Sequence, residues 1–396
     1  MFEGYPTRAV ERAMKLQEVI LRAVSGQITW MQAAEIIGIS ARAMRRWRAR
    51  YEEFGYDGLF DRRLKRPSPK RVPLETVEKV LCLYREQYRD CNVAHYVDKL
   101  QEVHGVDLSY TWVKTALQTA GLVAPQRKRG PHRKRRPRRP LPGMLLHCDG
   151  SRHGWLPVPG TQDLVVILDD ATSEVYWAEL VAEEDTASVL RGLQAVVESR
   201  GVFCTFYTDR ASHFVRTPHA GGPPDRSRLT QVGRALEDLG VEHIVAYSPQ
   251  ARGRSERLFG TWQGRLPQEL RLAGIQTLEQ ANRFLQQHWI GFHNRRFAVS
   301  AAQSGSAFLP TLRADLPRIF SWQYERVVGR DNTVAFARLQ LRIQRQKFRW
   351  SLAGCRVQVC RHLDQTITLY YGPHQLGRYD SQGQPLDTCR HNPEAA

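Results

Sequence analysis

The spacing of apolar residues changes along the chain and predicts three kinds of structure. In the first third, apolar residues recur at every third or fourth position, which is the period of an amphipathic helix. The predicted helices span 7–25, 30–37, 41–53, 74–89, 92–104 and 110–120. Near the carboxyl end, short strand-like runs between 325 and 380 predict a small all-β domain, a barrel.

Between these regions, apolar strand-like runs alternate with helical patterns. The predicted strands are 144–148, 164–168, 174–180, 203–207 and 241–247, and the predicted helices are 185–200, 226–239, 252–271 and 279–292. Three strands followed by alternating helices and strands favour a mixed sheet covered by helices. We therefore expect a multidomain chain with α-helical domains first, an α/β core next and a β-barrel last. The predicted domains are 1–63 and 70–123 (helical), 124–142 (linker), 143–300 (core) and 320–384 (barrel).

The first helical domain has a helix-turn-helix pattern. Gly38-Ile39-Ser40 is the predicted turn, and Ser40 is placed to cap the next helix. That helix carries four arginines opposite its apolar side, Arg42, Arg45, Arg46 and Arg50. Because such a helix can enter a major groove, we expect DNA binding, the alternative being a bundle with a solvated basic face. The second helical domain is either another helix-turn-helix or a purely structural unit.

The charge of the chain points to a nucleic-acid partner. Its 396 residues carry a formal net charge of +18, with no apolar run long enough to cross a membrane. Nine Lys or Arg and no acid lie in 126–140, which predicts an extended linker that contacts phosphates rather than a solvated tail or a localisation signal. The predicted contacts there and beyond are Arg127, Lys128, Arg129, Arg133, Lys134, Arg135, Arg136 and Arg252.

The cysteines argue for a reducing compartment and against zinc. Seven cysteines, an odd number, are scattered along the chain, as in a cytosolic protein with free thiols. Cys355 and Cys360 form the closest pair, and no matching pair accompanies them.

Three acids carry the candidate chemistry. Asp149 and Asp209 each follow a predicted strand, and Glu256 lies in the first turns of a predicted helix. A lone aspartate at a strand end is usually a turn or cap residue. The prediction therefore depends on all three acids occurring together in one core domain that follows a DNA-binding domain in the sequence. Carboxylates suit Mg²⁺, and a pair of ions about 4 Å apart can activate water or a 3′-hydroxyl against a phosphodiester.

Other polar residues compete for a role. Asp169 and Asp170 fit a hairpin turn, with Asp170 as a reserve candidate for the acidic site. Ser212 and His213 could contact metal-bound water or DNA, whereas His147 is interpreted as structural. A serine hydrolase is disfavoured because no Gly-x-Ser-x-Gly motif is present.

The core resembles the RNase H-like, retroviral-integrase-like catalytic core of DDE insertion-sequence transposases, in particular the ISNCY-type group. The stretches that carry the resemblance are 147–150, 207–214, 248–257 and 292–296 in the core and 34–40, 47–48 and 58–63 in the head. The resemblance covers about 15–300, and the C-terminal region is similar in architecture only. The zinc head of retroviral integrases, with its two His and two Cys, is absent from the sequence.

The resemblance implies that Asp149, Asp209 and Glu256 are catalytic acids holding two Mg²⁺ ions, for which Mn²⁺ substitutes. Asp209 and Glu256 are 47 positions apart, farther than is usual in the tighter integrase-like families, and the loop 217–224 accounts for the added length.

The implied activity is that of a DNA transposase. It would bind terminal inverted repeats, hydrolyse the 3′ ends and transfer them to target DNA. Its partners would be double-stranded element ends and target DNA, in a homo-oligomer of at least two copies, without a membrane, in a bacterial cytoplasm at the nucleoid. Two alternatives stay open: a DNA-binding regulator with a transposase-derived core, and an RNase H-like nuclease without transfer activity.

Overall fold

The computed structural model describes residues 7–60, 71–125, 136–217, 222, 225, 227–246, 253–311, 315–344, 346 and 348–386. Contacts within the chain divide it into two compact units, 1–80 and 81–396. The predicted domain boundaries at finer scale stay a prediction. Among the described residues, no helix is long and apolar enough to span a membrane.

The first unit is helical, with α1 (Thr7–Val24), α2 (Trp30–Ile37), α3 (Ala41–Phe54) and a 3₁₀ turn (Gly55–Leu59). Gly38 ends α2 in the left-handed region, at φ 75°. The Ser40 side chain accepts a hydrogen bond from the Ala43 amide and so caps α3, as predicted. Only Met44 of α3 is buried, in a core it shares with α1 and α2.

The second unit begins with further helices. These are α5 (Val93–Glu102) and α6 (Tyr110–Thr119), preceded by α4 (Leu74–Glu86), which crosses the boundary between the units. Glu269 of the core accepts hydrogen bonds from His95 and Lys99 of α5, and Arg265 donates to Asp98 at 2.8 Å. These ion pairs fix α5 against the core.

A five-stranded mixed sheet forms the centre of the second unit. Its strands are β1 (Leu146–His153), β2 (Gln162–Asp169), β3 (Val175–Val181), β4 (Thr205–Thr208) and β5 (Glu242–Val245). The order is β3-β2-β1-β4-β5, with β1, β2 and β3 antiparallel and β1, β4 and β5 parallel. The predicted order of strands and helices is confirmed.

The helices of the core lie on two faces of this sheet. They are α7 (Thr186–Arg200), α8 (Gln231–Leu239), α9 (Gly253–Gln263), α10 (Leu266–Leu272), α11 (Leu278–Phe284), a π-helical turn (Leu285–Trp289) and α12 (Ile290–Phe297). One face packs Leu146 and Cys148 of β1 against α7 and α8. The other packs Leu164, Val166 and Leu168 of β2 against α9 and α10.

The free edge of β3 is covered by amide side chains from the helices. Asn294 accepts a hydrogen bond from the Val175 amide at 2.8 Å and donates to the Val175 carbonyl at 2.9 Å. Asn282 makes the same pair of hydrogen bonds with Leu180. Each asparagine replaces the peptide group of a neighbouring strand, so the edge is satisfied without one.

Two differences between the predicted elements and the structure concern the parts of the chain that carry Asp149 and Glu256. β1 continues past Asp149 to His153 because it pairs with β2 along its whole length, so Asp149 lies within the strand and not at its end. The helix predicted over 252–271 is two helices in the structure. The first ends at Gln263, and the second, α10, has Pro267 in its first turn.

The C-terminal region is all-β after a short helix, α13 (Leu316–Ile319). Its strands are β6 (Trp322–Val327), β7 (Thr333–Phe336), β8 (Leu339–Arg342), β9 (Arg356–Arg361), β10 (Ile367–Tyr371) and β11 (His374–Tyr379). They form a sheet of order β11-β10-β9-β6 and a β7-β8 hairpin around one apolar core. The predicted small β region is confirmed, and in the part of the chain that the structure describes its strands form these two sheets without closing into a barrel.

Candidate active site

The two candidate aspartates lie side by side on neighbouring parallel strands. His147 of β1 is in register with Tyr207 of β4. Asp149 and Asp209 each follow that pair by two positions, so they occupy equivalent places at one end of the β1–β4 ladder. The Asp209 carboxylate also accepts a hydrogen bond from the Ala211 amide at 2.8 Å, which holds the chain as it leaves β4.

Asp149 points to the sheet face that α9 covers. Directly opposite it across the antiparallel pair is Val166, which belongs to the apolar core beneath α9. Residues opposite each other in such a pair share a face, so the side chains of His147, Asp149 and Ser151 all lie on that side. Asp149 is only 6% exposed, although it carries a carboxylate.

Glu256 lies in the first turn of α9, over the same face. Later in α9, the Gln263 side chain donates to the Ser151 hydroxyl of β1 at 3.1 Å. Glu256 precedes Gln263 by seven positions, two helical turns, and therefore lies on the same side of the helix. The helix thus brings Glu256 to the side of the sheet on which Asp149 lies, and the Glu256 side chain is exposed there.

A fourth carboxylate, that of Glu184, lies on the opposite face of β1, where Gly150 faces the side covered by α7 and α8. A Cβ atom added to Gly150 would overlap the Glu184 carboxylate, which therefore rests against the backbone directly after Asp149. Burial raises the pKa of the Cys148 thiol well above its usual value, and the charges of Glu184, Asp149 and Asp209 raise it further.

His213 is the partner of Glu184, with 3.2 Å between Nε2 and the carboxylate Oε1. The sequence motif singled out His213 but not Glu184. Its neighbour Asp185 caps α7, in a capping box with Ser188. The glycine that follows Asp149 is the signal that could have indicated a side chain packed over the strand at that point.

The donor set is composed of carboxylates, which suit a hard divalent cation. Within the described residues, no three His, Cys, Asp or Glu side chains are gathered closely enough to hold a metal ion. Mutual repulsion keeps such carboxylates apart unless a cation compensates their charge. Asp149 and Asp209 on neighbouring strands, with Glu256 on the helix over the same face, are a set of side chains whose chemistry suits a divalent cation.

Asp170, the reserve candidate, does not join these acids. It lies in the turn after β2, fully buried, where its carboxylate Oδ1 is 2.9 Å from His147 Nε2. His147 is thereby held in a structural contact, in agreement with its predicted role.

The candidate DNA-binding arginines of α3 are all solvent-exposed, namely Arg42, Arg45, Arg46 and Arg50. Arg48, which was not singled out, pairs with Glu52 at 2.7 Å and stacks on the Trp30 ring. Of the other predicted contacts, only Arg136 is described. Arg127, Lys128, Arg129, Arg133, Lys134, Arg135 and Arg252 lie outside the described residues.

The motif 292–296 holds the helices to the sheet. His293 Nδ1 accepts a hydrogen bond from the buried Trp262 of α9 at 2.9 Å, and Asn294 covers the β3 edge. Arg296 pairs with Asp98 of α5 at 3.1 Å. The motif therefore stabilises the scaffold that carries Glu256.

Comparison with known proteins gives the family. A helix-turn-helix domain model matches residues 17–68. "Putative transposase y4bF" of Sinorhizobium fredii (strain NBRC 101917 / NGR234) is 30% identical over 371 residues, 92% of this chain and 80% of that protein. "Transposase for insertion sequence IS1202" of Streptococcus pneumoniae is 27% identical over 303 residues, 67% of this chain and 65% of that protein.

Among solved structures, the HTLV-2 integrase catalytic core domain in complex with magnesium (dimeric form) is 14% identical with a TM-score of 0.29, covering 41% of this chain and 94% of that chain. The simian T-cell lymphotropic virus intasome in complex with PP2A regulatory subunit B56 gamma is 13% identical with a TM-score of 0.32. The match covers 75% of this chain and 97% of that chain. Because the Sinorhizobium relative is 30% identical across nearly the whole chain, this protein belongs to the transposase family, as its motifs predicted.

Proposed function

We propose that this transposase binds the terminal inverted repeats of its insertion sequence, hydrolyses the 3′ ends in the presence of Mg²⁺ and transfers them into target DNA. The observation that carries the proposal is the pairing of Asp149 and Asp209 at equivalent positions of β1 and β4, on the sheet face where α9 carries Glu256. Such a triad of acids behind a helix-turn-helix domain fits DNA strand chemistry.

DNA recognition is assigned to α3 and to the basic linker. Arg42, Arg45, Arg46 and Arg50 would contact base edges and phosphates, because all four are exposed on the helix that follows the turn. The linker at 126–140 would track phosphates, so its contribution should be independent of sequence and sensitive to salt.

The three acids have distinct tasks in this scheme. Asp149 and Asp209 would hold a divalent cation, and Glu256 would complete the site from α9. When bound, a pair of Mg²⁺ ions, or Mn²⁺ in their place, activates the attacking hydroxyl and stabilises the leaving oxygen. The burial of Asp149 excludes water from one side of the site, which strengthens its hold on a cation.

The assembly that acts on DNA would contain at least two copies. An insertion sequence has two ends, and one set of three acids serves one end at a time. We therefore propose a dimer or higher homo-oligomer on DNA, in the bacterial cytoplasm at the nucleoid.

A cleavage and joining assay tests the proposal. The substrate is the DNA that flanks this gene on both sides, with Mg²⁺ and the full chain. Asp149→Asn, Asp209→Asn and Glu256→Gln should each lower strand transfer by at least about a hundredfold, because each removes a charge from the metal site. Glu198→Gln, at an exposed acid on α7, is the matched control and should retain activity.

Each rival has its own outcome in this assay. Tight binding of the flanking DNA without cleavage by the unmodified protein would favour the regulator. Equal cleavage of unrelated duplexes, without joined products, would favour the nuclease. Full strand transfer by Asp149→Asn would refute the assigned mechanism.

A further inference from the structure

Asp170 is a buried carboxylate outside the acidic triad, and the proposed catalysis does not account for its several basic partners. Asp170 has a side chain that is 1% exposed. Its Oδ1 accepts hydrogen bonds from Arg136 Nη2 at 2.6 Å and Arg254 Nε at 2.5 Å and lies 2.9 Å from His147 Nε2. Its Oδ2 accepts from the Arg139 amide at 2.7 Å. With both oxygens so occupied, Asp170 is unsuited to bind a metal ion.

Three side chains that contact Asp170 or its partners each lie two positions before one of the three candidate acids in the sequence. His147 precedes Asp149 by two positions, and Arg254 precedes Glu256 by two. The segment that carries the third acid, Asp209, is contacted through Arg136, whose guanidinium lies 5.9 Å from the centre of the Tyr207 ring.

Tyr207 likewise precedes Asp209 by two positions. Its ring also contacts the His147 ring, with centroids 5.1 Å apart. We call Asp170, Arg136, His147, Tyr207 and Arg254 the Asp170 bracket.

The bracket includes the end of the basic linker. Arg254 of α9 also donates to the backbone carbonyl of Pro137 at 3.1 Å. Arg138 donates to the carbonyls of Asp170 and Ala171 and to the Ser173 hydroxyl. Residues 136–139, near the carboxyl end of the proposed DNA-tracking linker, are therefore fixed on the turn after β2.

Charge and burial make the bracket hard to open. Burial alone would raise the pKa of the Asp170 carboxyl, but hydrogen bonds from His147 and the Arg139 amide, together with the charge of Arg254, hold it well below its usual range. The group is thus an anion in the folded protein, and removing one cation would leave a buried charge without compensation. The arrangement favours one fixed geometry of β1, α9 and the linker.

We propose that Asp170 is a positioning residue: through the bracket it holds the start of α9, and with it Glu256, in place over Asp149 and Asp209, and it couples that placement to the basic linker. The part that concerns Glu256 as a metal donor rests on the proposed function. The part that concerns the mechanical link between the linker, Asp170 and α9 does not.

The first test measures the link without DNA or metal. Asp170→Asn keeps the shape of the side chain and removes its charge. Amide hydrogen exchange at 257–261, the first amides that bond within α9, should accelerate by at least about tenfold, because charge-assisted hydrogen bonds to Arg254 are weakened. Glu269→Gln is the matched control, since it neutralises a carboxylate that binds a His and a Lys but ties α10 to α5. Unchanged exchange in Asp170→Asn, or equal acceleration in both variants, would overturn the proposal.

The second test measures the consequence for the site. Calorimetric titration of Mg²⁺ into the protein–DNA complex, and the Mg²⁺ dependence of cleavage, should both show weaker binding by about tenfold in Asp170→Asn. At saturating Mg²⁺ most of kcat should return, because the acids themselves are intact. Loss of kcat with unchanged Mg²⁺ affinity would contradict a positioning role.

A second variant covers the case in which Asp170→Asn does not fold. Arg254→Lys keeps the positive charge but cannot reach Asp170 and the linker carbonyls together, so it should accelerate exchange in the same segment. Faster exchange supports the bracket even if the unmodified protein cuts no DNA, an outcome that would refute only the proposed function.

Discussion

The buried His293 makes the stability of the core depend on pH. Burial lowers the pKa of His293 from 6.5 to about 4, an effect that a contact with the Ser173 backbone only partly offsets. In the folded protein the neutral ring accepts the Trp262 indole hydrogen bond. In the unfolded chain the same ring takes up a proton below its ordinary pKa.

The direction and the size of the pH effect on the free energy of unfolding follow from this difference in pKa. Between pH 6.5 and 4 the unfolded state binds more protons than the folded state, so the free energy of unfolding falls as the pH falls through that window. At about 1.4 kcal/mol for each unit of pKa, the loss amounts to about 2 kcal/mol between pH 7 and 5 and approaches about 3 kcal/mol below pH 4.

Urea unfolding of the full chain at pH 7, 6 and 5, with and without His293→Gln, measures the effect. Glutamine offers Trp262 an acceptor but does not titrate, so the variant should lose about 2 kcal/mol less than the unmodified protein between pH 7 and 5. Parallel pH profiles for the two proteins would show that His293 is not held neutral and would refute the reasoning.

Three further predictions concern the scaffold and DNA binding. Asn294→Ala should lower the free energy of unfolding by about 1–3 kcal/mol, because it leaves the Val175 amide and carbonyl unsatisfied; urea unfolding measures this. Gly201→Ala should cost about 2 kcal/mol or more in the same measurement, since φ is 103° and a Cβ would overlap a backbone carbonyl. Arg46→Ala should weaken binding to the element ends and reduce the salt slope by about one, whereas Arg12→Ala on α1 should not; equal slopes would contradict a phosphate contact by α3.

Much of the core could be predicted because its strands are apolar and its helices periodic. The apolar runs before Asp149 and Asp209 gave the two parallel strands correctly, and their register then places the acids together. The end of β1 could not be predicted, since Gly150 and the polar residues after it have little strand propensity. They are extended because β2 pairs with them, a long-range contact that local sequence does not encode.

The helix break after Gln263 was hidden for a related reason. Leu258, Trp262, Leu266 and Leu270 continue one apolar stripe, and all four are buried in the same core. The pattern reports which side is buried and not whether the backbone is continuous. Similarly, the turn containing Asp170 was predicted from its sequence, but its bonds to residues 136 and 254 join segments 34 and 84 positions away.

The covered edge of β3 affects how copies of this chain interact when they are close together. Copies of this chain bound at neighbouring sites on DNA would be brought to high local concentration, where an open sheet edge invites strand addition and aggregation. The backbone groups of Val175 and Leu180 are already bonded to asparagine side chains, so a strand from another copy would first have to displace them. Strand addition at the β3 edge is therefore disfavoured even where copies of the chain are crowded together.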